Sequence, residues 1–178
     1  TALRSPVHTA KSLATLDQLS GGRLDVGVGL GGSSAVYPAF GLSPERRAAR
    51  FAEGIGLMKR VWTEPRVTFD GEFYRLKDLP MEPKPRQRPH PPVWVACSRR
   101  ETIHLAARKG IGALAFSFVE PEDAGKWVQE YYALIESEEC IPAGFAVNPN
   151  VAVVLPMMTH RDEAEAIERG IDGAHFFG

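Results

Sequence analysis

Apolar residues recur along the chain at helical spacing in some segments and as short uninterrupted runs in others. The clearest helix is predicted to start near Ser43-Pro44, because serine, proline and then a carboxylate are typical of a helix amino terminus. The apolar residues that follow predict one buried face: Ala48, Phe51, Ile55, Met58 and Trp62. Four more helices are predicted: from Ser5-Pro6 to Gly21-Gly22, over 100–109, from Pro121-Glu122, and from 159–162 to Gly170.

Short apolar runs between these helices predict strands that are buried on both faces. They cover residues 23–30, 92–97, 112–118, 150–155 and 173–177. Because strands and helices alternate, the pattern predicts an α/β fold with about five parallel strands and the helices outside. An eight-stranded TIM barrel, (β/α)8, typically needs about 250 residues. The alternation alone does not separate an open doubly wound sheet from an incomplete arc of such a barrel.

Residues 63–92 interrupt the alternation. Asp70-Gly71 lies between two short strand-like runs, which predicts a β-hairpin insertion. The proline-rich stretch from Pro80 to Pro92 cannot form a helix, and we interpret it as an extended surface connector. Since the alternation resumes directly after it, residues 1–178 are expected to form a single domain that contains this hairpin and connector.

Composition narrows the class of protein. The chain has 21 basic and 22 acidic residues, a net charge of -1, which disfavours generic nucleic-acid binding. No apolar run is long enough to span a membrane, and the two cysteines do not form a disulfide scaffold. We therefore expect a reducing compartment, the cytoplasm. The chain starts at Thr1 without a methionine and enters a helix almost at once, so we expect a piece of a longer protein.

A glycine-rich segment follows the first predicted strand. Residues 27–32 satisfy G-x-G-x-x-G, the fingerprint of dinucleotide-binding folds. That fingerprint needs a helix to open at once, whereas here residues 33–38 intervene and the helix starts only near Ser43. A loop that lets a ligand approach the backbone closely is the favoured interpretation. Glycines that serve only tight packing and turns remain the alternative.

Two basic segments are candidates for phosphate binding. Ser98 ends a strand, and the next helix carries Arg99, Arg100 and Thr102 near its first turn, which suits a phosphate as well as an ordinary helix cap. Arg46, Arg47 and Arg50 similarly flank the start of the long helix and could instead be a solvated face. The five histidines lack ligand-like spacing, so no metal site is predicted. Cys97 lies in a buried-looking strand, where a small core residue is the default.

Several stretches together resemble the bacterial luciferase-like, flavin-dependent monooxygenases. They are residues 14–31, Phe40-Gly41, Arg50-Phe51 with Glu53, Val61–Glu64, Phe69–Tyr74, Pro83–Pro85 and Gln87–Val95. The order and spacing of these motifs cover residues 5 to 118. The rest of the chain agrees mainly in the order of its elements.

The resemblance implies a (β/α)8 barrel enzyme that binds reduced FMN at the carboxyl ends of its strands and uses oxygen on a small organic substrate. A separate flavin reductase often supplies the reduced flavin in that family, and homodimers are common there. The residues implied for cofactor binding are Gly29, Leu30, Gly31, Gly32, Arg50, Ala96, Cys97, Ser98 and Thr102. No nucleic acid, membrane or metal is implied as a partner.

Two departures from the family pattern limit the inference. Leu30 stands where luciferase has an arginine and Cys97 where it has a glutamate, so phosphate anchoring must differ in detail. The resemblance also places the family's first strands and its catalytic histidine before Thr1, so no catalytic residue is assigned and this piece alone is expected to be inactive. Hydride transfer with a deazaflavin coenzyme on the same fold is the main alternative. A non-catalytic flavin-binding barrel relative is the other.

Overall fold

The computed structural model describes residues 3–30, 34–116, 121–154 and 157–177. Five helices and six strands make up the fold, in the order α1 Pro6–Leu19, β1 Val26–Val28, α2 Arg47–Thr63, β2 Arg66–Asp70, β3 Arg75–Pro80, β4 Val93–Cys97, α3 Arg100–Arg108, β5 Gly112–Phe116, α4 Pro121–Ile135, β6 Val151–Val154 and α5 Glu163–Phe177. Two single-turn 3-10 helices, Ser34–Val36 and Pro38–Phe40, lie between β1 and α2.

Four of the strands form one parallel sheet in the order β1-β4-β5-β6. The register pairs Val28 with Val95 and Ala96 with Leu114. Each neighbouring pair of strands is connected through a helix, as parallel strands require. This α/β architecture confirms the predicted fold class, with the parallel strands in chain order as in an arc of a barrel.

The helices pack on one face of the sheet through two hydrophobic clusters. The first joins β1 to α1 and α2 around Val26, Leu57 and Trp62. The second joins β4 and β5 to α3 and α4 around Cys97, Ala107 and Tyr131. Because side chains alternate along a strand, Ala96 points to the opposite face, and it is exposed there. That face is the side on which a closed barrel would have its interior.

The proline-rich connector is held to α1 by a buried carboxylate. Asp17 is fully buried, and its two oxygens accept hydrogen bonds from the backbone N–H and the side-chain amide of Gln87, each at 2.8 Å. The same amide also donates to the carbonyl of Leu24 at 2.7 Å. These bonds fix the connector before it enters β4. Residues 81–92 belong to no helix or strand, and Met81, Pro85 and Pro91 within them are buried.

The second sheet is the antiparallel hairpin β2–β3. The prediction of a hairpin here is correct, but its connection is longer than the two-residue Asp70-Gly71 turn that the sequence suggests. Asp70 pairs with Arg75, so the loop between the strands comprises residues 71–74. The Gly71 N–H donates to the carbonyl of Tyr74 at 2.9 Å and closes this longer loop. We call residues 71–74 the hairpin tip.

The predicted last strand, residues 173–177, is wrong. Helix α5 runs from Glu163 to Phe177 and passes through Gly170, where the sequence suggested its end. A glycine inside a helix costs only about 1 kcal/mol, and a short apolar run does not distinguish a strand from a helix. The parallel sheet therefore has four described strands instead of about five.

Helix α2 also begins later than predicted, at Arg47 instead of near Ser43. The Ser43 hydroxyl donates to the carboxylate of Glu45, so it does not cap the helix. The buried face is formed by Gly54, Leu57, Met58, Val61 and Trp62, while Ala48 is exposed. No helix in the described ranges has the length and apolar character needed to cross a bilayer.

Candidate functional site

Several of the predicted cofactor residues lie at the edge of the sheet where its strands end. Gly29 and Leu30 come directly after β1, and Ala96 to Ser98 close β4. Since Val28 pairs with Val95 in a parallel register, Gly29 and Ala96 lie one step further along the same edge. Ligands of parallel α/β folds bind outside this carboxyl edge. Gly31 and Gly32 lie outside the described residues.

Alternation along β4 separates the predicted residues Ala96 and Cys97. The Cys97 side chain is 2% exposed and packs with Ile103 and Ala113 on the helix-covered face. Burial raises the pKa of this thiol to about 11, so it stays protonated and unreactive at neutral pH. Ala96 is exposed on the open face. Only the backbone of Cys97 is therefore available at the edge, whereas Ala96 can offer its side chain.

Helix α3 begins beside this edge without a side-chain cap. Arg99 occupies the cap position, and no side-chain hydrogen bond closes the first turn. Ser98 is exposed immediately before it, and Thr102 is half-buried within the first turn. Free backbone N–H groups together with hydroxyls at a helix amino terminus are suited to an anion.

Arg100, in contrast, already forms an ion pair with a carboxylate. Its Nε donates to Oε2 of Glu130 on α4 at 2.8 Å, and the same carboxylate lies 2.8 Å from Nε2 of His104. These contacts, the Arg100 one first, lower the pKa of Glu130 to about 2. The interaction ties α3 to α4, so Arg100 is not free for the phosphate role that its position suggested.

The loop after β1 is anchored by a tyrosine that the sequence reasoning did not single out. Tyr37 is fully buried, and its hydroxyl donates to the backbone carbonyl of Leu30. The Leu30 side chain is 39% exposed, so the predicted contact residue is accessible at this edge.

Arg50 lies in the first turn of α2 against the hairpin tip. Its guanidinium is 5.0 Å from the ring centre of Tyr74 and 5.5 Å from that of Phe73. The Arg50 Nε and the Tyr74 hydroxyl are both buried without a hydrogen-bond partner. Burial raises the pKa of Tyr74, and the positive charge of Arg50 opposes that effect. No ion pair involves Arg50 among the residues that the structure describes.

A carboxylate on α2 holds the hairpin tip in place, and sequence reasoning missed this role. Glu53 accepts the backbone N–H groups of Glu72, Phe73 and Tyr74 at 2.8 to 2.9 Å. The lengths of α2 and β2 could have indicated this contact. The seventeen residues of α2 span about 25 Å, and five strand residues return about 17 Å, so the tip reaches the amino-terminal half of α2.

A cavity of about 310 Å³ lies at the other edge of the sheet. It is lined by α2, the start of β4 and the residues before β5 and β6, including Met58, His90, Val93, Ile111 and Asn148. The His90 ring bridges this region, since Nδ1 lies 2.9 Å from the Pro91 carbonyl and Nε2 accepts the Phe145 N–H at 3.0 Å. Most of its lining lies at the amino-terminal ends of the strands, but Val28, the last residue of β1, also borders the cavity.

Within the described ranges, no group of three or more His, Cys, Asp or Glu side chains could hold a metal ion. The carboxyl edge offers backbone N–H groups and the hydroxyls of Ser98 and Thr102, and the Arg50 guanidinium belongs to the first turn of α2, the helix that follows β1. Such a set suits a phosphate-bearing organic ligand.

The family model described as luciferase-like monooxygenase matches residues 1–177, and the chain belongs to this family. This confirms the resemblance on which the sequence analysis relied. The four-stranded parallel sheet is accordingly part of a TIM barrel.

Two curated relatives carry different coenzymes in their names, FMNH(2) and F420. The chain is 40% identical over 107 residues to an FMNH(2)-dependent dimethylsulfone monooxygenase of Pseudomonas putida, covering 58% of this chain and 30% of that protein. It is 36% identical over 122 residues to an F420-dependent glucose-6-phosphate dehydrogenase of Intrasporangium calvum, covering 64% of this chain and 35% of that protein. The chain therefore spans about a third of the length of these relatives.

Among solved structures, the monooxygenase RslO1 from Streptomyces bottropensis superposes with a TM-score of 0.77 at 29% identity. The match covers 98% of this chain and 52% of that protein. A Baeyer-Villiger monooxygenase of Pseudomonas putida, in complex with FMN, has a TM-score of 0.74 at 17% identity, a likeness of fold alone. About half of such a barrel therefore corresponds to the present chain.

Proposed function

We propose that the protein containing this chain is a flavin-dependent monooxygenase that uses reduced FMN and molecular oxygen on a small organic substrate. The observation that supports the proposal is that Gly29, Ala96 and Ser98 lie at the carboxyl edge of a luciferase-like sheet, while Arg50 lies in the first turn of the helix that follows β1. The residues 1–178 would form a central segment of one barrel domain, with the hairpin and connector of residues 63–92 within it.

The donors at this edge fit a flavin phosphate. Among the described residues Arg50 forms no ion pair, so its positive charge is available to a phosphate. The open amino terminus of α3, with Ser98 and Thr102, would supply backbone N–H groups and hydroxyls. Leu30 and Cys97 cannot replace the arginine and glutamate of luciferase, so the phosphate would depend more on Arg50 and on backbone donors.

The tasks of these residues follow from their positions. Reduced FMN, when bound, supplies the two electrons with which one oxygen atom of O2 enters the substrate and the other leaves as water. Gly29, and Gly31 and Gly32 after it, would allow the flavin to approach the backbone closely, since glycine has no side chain. The uncovered face around Ala96 would border the flavin and help to exclude water.

Hydride transfer with the deazaflavin coenzyme F420 is the second candidate. The relative from Intrasporangium calvum carries that coenzyme in its name and aligns over a larger share of this chain than the FMNH(2)-dependent relative does. The phosphate donors proposed above would serve either coenzyme, because both carry a phosphate ester. The two functions differ in their need for oxygen.

An isotope experiment tests the proposal. The full-length protein, with NADH, FMN and a flavin reductase, is given dimethylsulfone and related small sulfones under 18O2. One labelled oxygen atom in the product supports the monooxygenase. Oxygen-independent turnover of an alcohol or sugar phosphate with F420 supports the alternative. Binding of reduced FMN without any turnover would support the non-catalytic flavin-binding relative, and failure to bind either coenzyme would refute the proposed function.

Three further expectations belong to the whole protein. A flavin reductase would act as its partner, because the oxygen reaction consumes reduced flavin. A homodimer is expected by analogy with the family. Both cysteines are free thiols, which agrees with the reducing cytoplasm that the sequence suggested.

A further inference from the structure

Within the described part of the chain, Arg50 forms no ion pair with a carboxylate. Two acidic side chains near it in sequence and one on the hairpin tip have other partners. Glu45 accepts from Ser43, Glu53 accepts the N–H groups of the hairpin tip, and Glu72 pairs with Arg46. Among the described residues, Arg50 is left with aromatic rings as its neighbours and an unpartnered, buried Nε.

Those aromatic rings restrict where the guanidinium can lie. Phe73 and Tyr74 both hold it by cation–π contact, at 5.5 and 5.0 Å. Both rings belong to the hairpin tip, whose backbone Glu53 binds through three N–H groups. A Cβ on Gly71 would lie 2.3 Å from a Glu53 carboxylate oxygen, so the close approach of tip and helix requires glycine there. The tip therefore supports Arg50, although Phe73 also contacts the Arg46 guanidinium, 4.9 Å from its ring centre.

Ordering a long arginine side chain before binding removes part of the entropic cost of binding. Arg50 stands in the first turn of α2, the helix that follows the carboxyl end of β1. A guanidinium held in place there is preorganised for an anion at the same edge. The aromatic rings leave its charge intact, whereas a carboxylate partner would compete with that anion.

We propose that Phe73 and Tyr74 are positioning residues that hold Arg50 ready for the phosphate ester of the bound cofactor. The hairpin insertion then sets the affinity for the phosphate and leaves recognition of the isoalloxazine ring to the rest of the site. This inference rests on the proposed function, since it assumes a flavin-type cofactor at this edge.

The test compares reduced FMN with reduced riboflavin, which lacks the phosphate. Dissociation constants are measured anaerobically, by fluorescence titration, for the full-length protein and its variants. For Arg50→Ala we expect an FMN affinity about tenfold or more weaker, with riboflavin unchanged. Phe73→Leu and Tyr74→Leu should weaken FMN binding about threefold to tenfold, again without an effect on riboflavin.

Matched variants make the result specific. Tyr74→Phe keeps the aromatic ring, so this variant should bind FMN with the same affinity as the wild type. Lys77→Ala removes an exposed positive charge from the same hairpin and should change neither affinity. Thermal melts identify any variant that fails to fold. If Tyr74→Leu is unstable, the comparison relies on Phe73→Leu, whose side chain is half-buried at the tip.

Each of the other outcomes would overturn the inference, the proposed function or both. Equal loss of FMN and riboflavin in the tip variants would mean a merely structural role and overturn the inference. Unchanged FMN affinity in both leucine variants, with Arg50→Ala impaired, would overturn it and leave the proposed function standing. A wild-type protein that binds neither reduced FMN nor F420 would refute the proposed function, and the inference with it.

Discussion

The carboxylate of Glu53 accepts the backbone N–H of Tyr74 at 2.8 Å and so joins the middle of α2 to the hairpin tip. The same carboxylate binds the N–H groups of Phe73 and Glu72. One side chain thus satisfies three consecutive backbone donors in a loop that has few other partners. This contact fixes the hairpin tip against α2.

Replacing Glu53 with glutamine should destabilise the protein by about 1–3 kcal/mol. The amide has one acceptor oxygen in place of two, and its NH2 group would face backbone N–H donors. Urea unfolding with matched slopes measures the change. Glu72→Gln is the control, because it removes an exposed ion pair with Arg46 that is worth about 1 kcal/mol or less. Equal effects of the two substitutions would contradict the role assigned to Glu53.

Asp17→Asn should cost about 1.5–3 kcal/mol, because a buried acceptor of two Gln87 hydrogen bonds is replaced by a partial donor. Burial raises the pKa of Asp17, but the Gln87 hydrogen bonds outweigh it and leave that pKa below its usual value. The carboxylate therefore contributes stability above a pH of about 4 and loses it as the pH falls further. Unfolding free energies measured between pH 7 and 3 should show the wild type and variant converge.

Gln18→Ala is the control for Asp17. Its amide donates to the Lys84 carbonyl at 2.9 Å from an exposed position on the same helix. Its loss should cost about 1 kcal/mol or less. A wild-type advantage over Asp17→Asn that stays constant down to pH 3 would show that the charge of Asp17 does not matter.

The two cysteines should differ strongly in reactivity. At pH 8 a disulfide reagent is expected to label Cys140, which is half-buried, and to leave Cys97 unlabelled. The pKa of Cys97 is about 11, so its thiol contributes stability below the unfolded pKa and loses it as the pH rises toward 11. Cys140→Ser protein should therefore give no label until urea is added. Rapid labelling of that variant without urea would contradict the burial of Cys97.

The link between α3 and α4 should weaken in acid. Glu130 has a pKa of about 2, lowered by Arg100 and then His104, so its contribution is present above its ordinary pKa and disappears as the pH falls toward 2. Urea midpoints of the wild type and Glu130→Gln should differ at pH 6 and approach each other at pH 3. Glu138→Gln, at an exposed position, controls for the change in net charge. A difference that persists unchanged at pH 3 would contradict the ion-pair account.

Local signals predicted much of the fold. Ser5 caps α1, where its hydroxyl accepts the His8 N–H at 3.4 Å, and Gly21 follows the end of that helix with a φ of 72°. The buried face of α3, Ile103, Ala106 and Ala107, matches its helical spacing. Such features depend on residues within one turn, so the sequence pattern contains them.

Other features depend on neighbours that are distant in sequence. Residues 173–177 form helix, although their apolar character suits a strand equally well. The enclosure of Arg50 depends on a hairpin that returns from more than twenty residues away, and the hydrophobic pattern holds no trace of that contact. The pairing of Arg100 with Glu130 likewise required the packing of α3 on α4. In each case contacts between residues distant in sequence determine the local structure, and local propensity does not.

The most direct test of the central claim is an anaerobic titration of the full-length protein with reduced FMN and, separately, with reduced F420. The account predicts saturable binding of reduced FMN at one site per chain, tighter than the binding of F420. Tighter binding of F420 would favour the hydride-transfer alternative, and the absence of saturable binding of either coenzyme would contradict the account.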